Sequence, residues 1–106
     1  MNSTVDKVEL ITNEDDIFQA SYSLKAMAHP LRLKILCILG GSGEVSVHDI
    51  VDQVGTSQSN ISQHLAVMRE RGLIASRKEA NKVFYRIDDP RILKMIAMMR
   101  EVFCTV

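Results

Sequence analysis

The segment that most constrains the fold runs from Thr56 to Ile74. It contains residues that can begin a helix, an apolar pattern with helical spacing, and a glycine, Gly72, that can end the helix. Apolar residues recur at spacings of four and three, which fits one helical face: Ile61, Leu65 and Met68. The opposite face is polar and holds Gln58, Ser59, Ser62, Gln63 and Arg69. Amide, hydroxyl and guanidinium groups can pair with base edges in duplex DNA. The sequence therefore predicts a helix fixed in a core on one side and able to read bases on the other.

A shorter helix is predicted immediately before this one, over Val47–Val54. Its apolar residues share one face, and they are Val47, Ile50, Val51 and Val54. Gly55 supplies a turn, and Ser57 is suited to cap the helix that follows. Two helices joined by a short turn that contains glycine match the helix-turn-helix plan. We therefore interpret the second of them as a recognition helix.

Two further helices are predicted upstream. Asp15 or Asp16 can begin the first, which runs to about Ala28 and turns Ile17, Leu24 and either Ala20 or Tyr22 inward. The second begins at Pro30, since proline suits a first helical turn, and runs to about Leu39 before the glycine-rich stretch 40–43. It is apolar nearly all round, which favours a central, buried position.

Downstream, alternating residues predict two strands, Leu73–Lys78 and Val83–Ile87, with a turn over Glu79–Lys82. Glu44–Ser46 can add a short strand, and a last helix should run from Pro90 to about Cys104. A hairpin directly after a helix-turn-helix is a wing. We therefore predict a mainly α fold with a β-hairpin wing, a winged helix-turn-helix of order ααααββα. Residues 15–106 should form this domain, after a flexible acidic segment over residues 1–14.

Charge is distributed unevenly, although the 106-residue chain has a formal net charge of zero. Residues 1–20 hold five acids and one base, a balance of −4, whereas residues 56–86 hold six bases and two acids, a balance of +4. Phosphate contacts dominate affinity for DNA, so the local charge matters more than the total. The sequence has no export signal and no run near the roughly 20 apolar residues of a membrane span. We expect a cytoplasmic protein.

Four motifs in order resemble the ArsR family of winged-helix repressors: KAMAHPLRLKIL from Lys25, SQSNISQHL from Ser57, MRERGLI from Met68 and RKEANKVFYRI from Arg77. The resemblance implies a homodimer, built by the first and last helices, that binds an inverted repeat in double-stranded operator DNA and leaves it when a chemical signal arrives. The recognition helix would enter the major groove, and the wing would contact the flanking backbone. From both arguments we expect DNA contacts from Ser57, Gln58, Ser59, Asn60, Ser62, Gln63, His64, Arg69, Arg77, Lys78, Asn81, Lys82 and Tyr85. For His64, a capping role or packing against the wing is an equal alternative.

Metal sensing is in doubt on this sequence. Toxic-metal sensors of the resembled family carry a thiol pair on the third helix, where this chain has Ser46 and His48. Soft metals need thiolate ligands. Zinc sensors of the family use Asp and His on the last helix, which here has no histidine. His29, His48 and His64 lie on different predicted elements without ligand spacing. We expect neither a metal nor a cofactor, and a metal-responsive repressor remains the alternative.

The two cysteines, Cys37 and Cys104, are expected to be free thiols in a cytosolic protein. The pair resembles that of the two-cysteine subgroup of the family, which includes biofilm-growth, sulfide-responsive and hemolysin-activating regulators. The resemblance implies that the last helix packs beside the second, and that persulfides, polysulfides or other oxidants join the thiols and release DNA. A disulfide needs Cα atoms roughly 4.4–6.8 Å apart, whereas a polysulfide tolerates more. Lys34 and Arg100 lie near the two thiols in sequence and are as well explained as solvated charges.

Other classes of function fit less well. We expect no enzyme, because the sequence lacks a catalytic triad order and a phosphate loop, and because Cys37 is predicted in too apolar a helix to be an exposed nucleophile. A protein-binding module is the second alternative, since Met95, Met98 and Met99 give the last helix an adaptable apolar surface. An anti-silencer that displaces another DNA-bound regulator is the third.

Overall fold

The computed structural model describes residues 9–104. The elements in chain order are α1 (Glu14–Met27), α2 (Pro30–Ser42), β1 (Val45–Ser46), α3 (Val47–Val54), α4 (Gln58–Glu70), β2 (Ala75–Glu79), β3 (Lys82–Arg86) and α5 (Pro90–Phe103). This is the predicted mainly α winged helix-turn-helix. Residues 1–8 of the predicted flexible segment 1–14 lie outside the described residues. Glu14, the last residue of that segment, already belongs to α1.

The helix-turn-helix has the predicted bounds because its capping residues fix them. Ser46 caps α3 by accepting a hydrogen bond from the Asp49 amide, and Gly55 ends that helix in the left-handed conformation, with φ 82°. Ser57 caps α4 through the Asn60 amide at 3.1 Å. The core face of α4 is fully buried, as predicted, and consists of Ile61, Leu65 and Met68. The recognition helix is therefore anchored along its whole length.

Helix α2 is central, as predicted, but it extends three residues further than expected. Ile35, Leu36 and Leu39 are buried in the core. Gly40 and Gly41 continue the helix, which is capped at Gly43 (φ 83°) by a hydrogen bond from the Gly43 amide to the Leu39 carbonyl. Glycine weakens a helix by only about 1 kcal/mol, and packing of α2 against α5 outweighs that cost.

The wing is a two-stranded hairpin with a third strand beside it. β2 and β3 pair antiparallel from Ala75↔Arg86 to Glu79↔Lys82, so only Ala80 and Asn81 form the turn. The predicted short strand exists and joins the sheet, since β1 pairs with β3 through Val45↔Tyr85 and Ser46↔Phe84. The sheet order β1-β3-β2 thereby fixes the wing to the start of α3.

The outer helices α1 and α5 leave many apolar side chains in solvent. Of the α1 residues predicted to point inward, Ile17, Tyr22 and Leu24 are exposed, at 43%, 44% and 50%, whereas Ala20, the alternative to Tyr22, is half-buried. The buried residues of α1 are Ala26 and Met27. In α5 only Ile96 is buried. The exposed residues of α5 are Leu93, Met95, Met98, Val102 and Phe103. One chain alone does not cover these faces. Across residues 9–104, no helix has the length and apolar character needed to cross a bilayer.

Candidate nucleic-acid interface and thiol groove

The outer face of α4 is polar and open to solvent. Its exposed residues are the ones expected to read DNA, and they are Ser57, Gln58, Ser59, Ser62, Gln63 and Arg69. Asn60 differs, because it is half-buried and its amide donates to the Thr56 hydroxyl at 3.3 Å. Arg69 reaches towards the wing and donates to Ser76 Oγ at 3.1 Å. The surface offers hydroxyl, amide and guanidinium groups on a rigid helix.

His64 lies on the inner side of this surface, and its described polar and ring contacts are with Arg32 and His29. It is half-buried, and its Nδ1 accepts a hydrogen bond from Arg32 Nε at 3.0 Å. The His29 ring lies 4.7 Å from the His64 ring, centroid to centroid. Burial lowers the pKa of His64, and His29 and Arg32 lower it further. The sequence separates these residues by more than 30 positions, so their proximity could not be read from it.

The positive charge predicted for the wing is partly neutralised. Arg77 forms ion pairs with Glu44 at 2.7 Å and with Glu79 at 2.6 Å, and Arg86 lies 3.7 Å from Glu44. The hydrogen bonds from Arg77 hold the pKa of the Glu44 carboxyl below its usual value, so Glu44 is ionised at neutral pH. Glu44 was missing from the predicted site because it is 33 residues away from Arg77 in sequence. Arg77 is thus a compensated charge rather than a free one.

The remaining predicted wing residues fall into two groups. Lys78, Asn81 and Lys82 are exposed. Tyr85 is half-buried and packs against the hydrophobic core, so its ring is largely a structural group. Asn81, Lys82 and Gln58 also line one cavity of about 250 Å³ between the hairpin turn and the starts of α3 and α4. An amide, a cation and a helix start near each other suit a phosphate group.

Arg71, at the end of α4, connects the recognition helix to α1. Its guanidinium lies 3.8 Å from the centre of the Tyr22 ring and donates to the Tyr22 carbonyl at 3.4 Å. The Arg71 Nε is buried and has no hydrogen-bond partner among the described residues. The charge of Arg71, counted above as part of a basic segment, is therefore directed inward. The sequence gives no sign of this contact, because Tyr22 is 49 positions away from Arg71.

Cys37 and Cys104 line the same groove between α2 and α5, which has a volume of about 380 Å³. The other described lining residues are Leu33, Ile96, Met99, Arg100 and Phe103. Both cysteines are free and exposed. The expectation that Cys37 would be buried was wrong, because Cys37 faces this open groove, one helical turn from Leu33, and not the core face of α2. Of the two cations suggested by sequence, Arg100 lines the groove, whereas Lys34 is exposed and is not among its described lining residues.

One cluster of possible metal ligands occurs on α3 within the described range, although none was expected. Ligand atoms of His48, Asp49 and Asp52 lie within 4.8 Å of one another, and His48 Nε2 is 3.4 Å from Asp52 Oδ2. All three side chains are exposed. A metal-ligating histidine is usually oriented by further hydrogen bonds around the site, and residues 9–104 provide no hydrogen bond of this kind for His48. We assign no metal to this cluster.

The fold, the exposed polar helix and the wing define a DNA-binding winged helix-turn-helix protein. The family model described as "Bacterial regulatory protein, arsR family" matches residues 29–76. The chain belongs to this family of DNA-binding transcriptional regulators. This agrees with the expectation that it is not an enzyme, because its relatives are named as regulators of transcription.

Three relatives illustrate the match. The HTH-type transcriptional regulator YgaV of Escherichia coli (strain K12) is 44% identical over 86 residues, which cover 81% of this chain and 87% of that protein. The transcriptional activator HlyU of Vibrio cholerae is 41% identical over 91 residues, with coverage of 86% and 83%. The biofilm growth-associated repressor of Xylella fastidiosa (strain Temecula1) is 35% identical over 82 residues, with coverage of 77% and 71%.

The solved structures of HlyU from Vibrio cholerae N16961 resemble this fold closely. One superimposes with a TM-score of 0.82 at 40% identity and covers 88% of this chain and 100% of that chain. Another, described as reduced HlyU, gives a TM-score of 0.80 at 40% identity, with coverage of 87% and 96%.

Proposed function

We propose that the protein is a homodimeric transcriptional repressor that leaves its operator when Cys37 and Cys104 are joined by a persulfide, a polysulfide or another oxidant. The observation that carries this proposal is the shared groove, since two free thiols, one on α2 and one directly after α5, line one cavity together with Arg100. A covalent link there ties α5 to the core helix α2. Because α5 belongs to the proposed dimer interface, the link changes the relative orientation of the two recognition helices.

Two features support the homodimer. Exposed apolar residues cover both outer helices, and on α5 Met95, Met98 and Val102 recur at spacings of three and four with exposures of 40%, 55% and 64%. Exposed apolar patches of this kind usually mark an interface. A two-fold axis between paired outer helices can set two copies of α4 roughly 34–36 Å apart, one turn of DNA, on an inverted repeat.

The polar face of α4 supports direct readout of the operator. Gln58, Ser62 and Gln63 would contact base edges in the major groove, while Ser57, Ser59 and Arg69 would contact bases or phosphates at its edges. Lys78, Asn81 and Lys82 would contact the flanking backbone. Asn60, His64, Arg77 and Tyr85 contribute mainly by holding neighbouring groups, because each is half-buried or engaged in an ion pair.

The proposed chemistry balances with a persulfide as oxidant. A cysteine thiolate attacks the outer sulfur of R–S–SH, which gives Cys–S–SH and releases R–SH. The second cysteine then attacks the Sγ of the first, forms the disulfide and releases hydrogen sulfide. If both cysteines first become persulfides, their reaction forms a trisulfide and again releases hydrogen sulfide. In each case the cysteines are oxidised and the sulfur that leaves as sulfide is reduced.

The test uses a duplex with an inverted repeat that the reduced protein selects from a random DNA pool. Affinity for this selected duplex is measured for reduced, persulfide-treated and peroxide-treated protein, with the intact mass of each sample. We expect a loss of affinity together with an intrachain crosslink, seen as the loss of two hydrogens with or without added sulfur. Cys37 and Cys104 are the chain's two cysteines, so the mass assigns the bond. Separately capped thiols with lost affinity would contradict the crosslink.

Cys37→Ser and Cys104→Ser provide the matched pair of variants. Each should bind the selected duplex as the reduced wild type does and should keep that affinity after persulfide treatment. If either variant still releases DNA, the two-thiol mechanism is wrong, although the protein remains a DNA-binding regulator. The direction of regulation is tested separately by placing the selected site over or upstream of a reporter promoter. Both positions of the site are tested because one relative is named an activator and another a repressor.

A further inference from the structure

We propose that Arg32 is a positioning residue for DNA recognition, which holds α4 in its reading orientation through a neutral His64, so that acidic pH lowers affinity for the operator. The inference rests on the proposed role of α4 in reading DNA. It concerns a partly exposed junction between helices that is separate from both the exposed polar face of α4 and the thiol groove. The junction consists of Arg32 and His29 at the start of α2, His64 on α4 and the end of α1.

Arg32 connects three helices with one side chain. Its Nε donates to His64 Nδ1 at 3.0 Å, and its Nη1 donates to the Ala26 carbonyl at 3.3 Å. Ala26 lies in the last turn of α1, where helix carbonyls lack partners within the helix. Since Arg32 itself belongs to α2, it ties the recognition helix α4 to both α1 and α2. His64 immediately follows Gln63, so a rotation of α4 at this contact moves a residue proposed to read bases.

The hydrogen bonds require both histidines of the junction to be neutral. Arginine is a donor only, so His64 must accept at Nδ1 and carry its proton at Nε2. His29 likewise accepts at Nδ1, from the Leu31 amide at 3.1 Å, and thereby caps α2. Protonation of either ring removes its acceptor. It also introduces a cation beside Arg32 or beside the other ring, 4.7 Å away.

The charged and titratable groups that bear on His64 are few within residues 9–104. They are Arg32 and His29, both on the α2 side, while α1 contributes the uncharged Ala26 carbonyl through Arg32. Burial and these two neighbours all lower the pKa of His64 in the folded protein. Because the pKa of His64 is lower in the folded protein than in solvent, the arrangement in which Arg32 donates to neutral His64 is favoured at neutral pH. It loses that advantage as pH falls below the ordinary histidine value of about 6.5.

The sign of this effect distinguishes it from general electrostatics. Protonation of an exposed histidine adds positive charge and strengthens binding to DNA. The junction predicts the opposite, an affinity that decreases in acid. One linked proton changes an association constant by at most about tenfold per pH unit. We therefore expect wild-type affinity for the selected duplex to fall about threefold to tenfold between pH 7.5 and 5.5.

The decisive variants keep the acceptor but remove the titration. In H64N the side-chain oxygen can occupy the position of Nδ1, and in H29N asparagine is itself a good helix cap. H64N should bind as wild type does at pH 7.5, and its affinity should decrease less in acid. H29N/H64N should lose at least as much of this decrease as H64N does. H48N serves as the comparison for a histidine outside the junction. His48 is exposed on α3 and lines the cavity near Gln58 and Lys82, so H48N can change the affinity itself, but it should not weaken the decrease of affinity in acid. A pH profile of H64N equal to that of wild type would overturn the inference.

Arg32→Gln tests positioning directly. It should lower affinity on the order of tenfold at pH 7.5, the weight of one charge-assisted hydrogen bond. Lys34→Gln removes the same charge from an exposed site on the same helix and should lower affinity by less. If folded Arg32→Gln binds as Lys34→Gln does, Arg32 has only a structural role. Gln63→Ala distinguishes failure of the proposed function from failure of this inference. Normal DNA binding by Gln63→Ala would contradict the proposed base-reading role of α4. Weak binding by Gln63→Ala, together with a wild-type affinity that does not change with pH, would contradict only the role proposed for Arg32 and His64.

Discussion

Helices α4 and α5 have nearly equal lengths, 13 and 14 residues, but they relate to the rest of the chain in opposite ways. α4 buries Ile61, Leu65 and Met68 completely and exposes polar groups. α5 buries Ile96 alone and exposes large apolar side chains. A polar exposed face is stable in water and available to a polar partner. An apolar exposed face favours coverage by protein. One chain therefore buries the core face of α4 completely, whereas it leaves the apolar face of α5 open, and this open face is where we propose that a second chain packs.

The largest expected effect tests how firmly α4 is anchored. Leu65→Ala removes a fully buried side chain and should lower the free energy of unfolding by about 2–5 kcal/mol, since it leaves a cavity in the core. The loss should be measurable by urea unfolding at every protein concentration. Ala66→Ser, at the exposed neighbouring position, is the control and should change stability by less than about 0.5 kcal/mol. Equal effects of the two substitutions would contradict the described orientation of α4.

The next prediction tests the apolar face of α5. Met98→Ser should weaken dimerisation by about 1.5–3 kcal/mol per covered side chain, because burial of a serine side chain lacks the favourable free energy that burial of the apolar methionine provides. Sedimentation equilibrium would show this as a dimer dissociation constant raised by a factor of ten or more. Glu101→Gln, on the same helix, should leave the constant nearly unchanged. A monomeric wild type, or a dimer that does not respond to Met98→Ser, would remove the proposed interface.

A smaller effect is expected at the polar face of α4. Gln63→Ala should reduce affinity for the selected duplex about tenfold, as expected for one side chain that pairs with a base edge. Its thermal stability should remain close to that of wild type, because Gln63 is exposed. Gln53→Ala, at an exposed position on α3, provides the comparison. Affinity that is equal for both variants at fixed salt would argue against base contact by Gln63.

The smallest effect separates free from compensated charge on the wing. Lys82→Gln should reduce the slope of log affinity against log salt by about 0.9 per subunit, the value for one phosphate contact. Arg77→Gln should reduce it by less, because Glu44 and Glu79 already neutralise that guanidinium. Binding titrations at several salt concentrations would measure both slopes. The reverse order would mean that Arg77 leaves its acidic partners when DNA is bound.

Local signals in the sequence predicted α3 and α4 well. Ser46, Gly55 and Ser57 act on backbone groups a few residues away, so their effects can be read directly from the sequence. The end of α2 was misjudged because the helix continues through Gly40 and Gly41 to its cap at Gly43, and Gly40 lies close to Leu93 and Ile96 of α5. Helix propensity is a weak guide where tertiary packing acts.

Contacts between distant residues could not be predicted. The basic segment counted from sequence loses much of its free charge to Glu44, and Arg71 turns inward to Tyr22. The burial of Cys37 was wrong for the same kind of reason, since exposure depends on how closely α5 approaches that side of α2. The shared groove for both cysteines followed from the family resemblance rather than from any local pattern.

The composition of the hydrophobic core determines how far the chain could be shortened. The family model spans residues 29–76, yet the core also contains Ala26 and Met27 from α1 and Ile96 from α5. β3, whose residues 82–86 pair with both other strands, also lies beyond that span. A fragment trimmed to the matched span would lose one side of the core and the middle of its sheet. We therefore expect the smallest segment that folds as a unit to be close to the whole described chain. A chimeric protein should accordingly receive this segment as a whole.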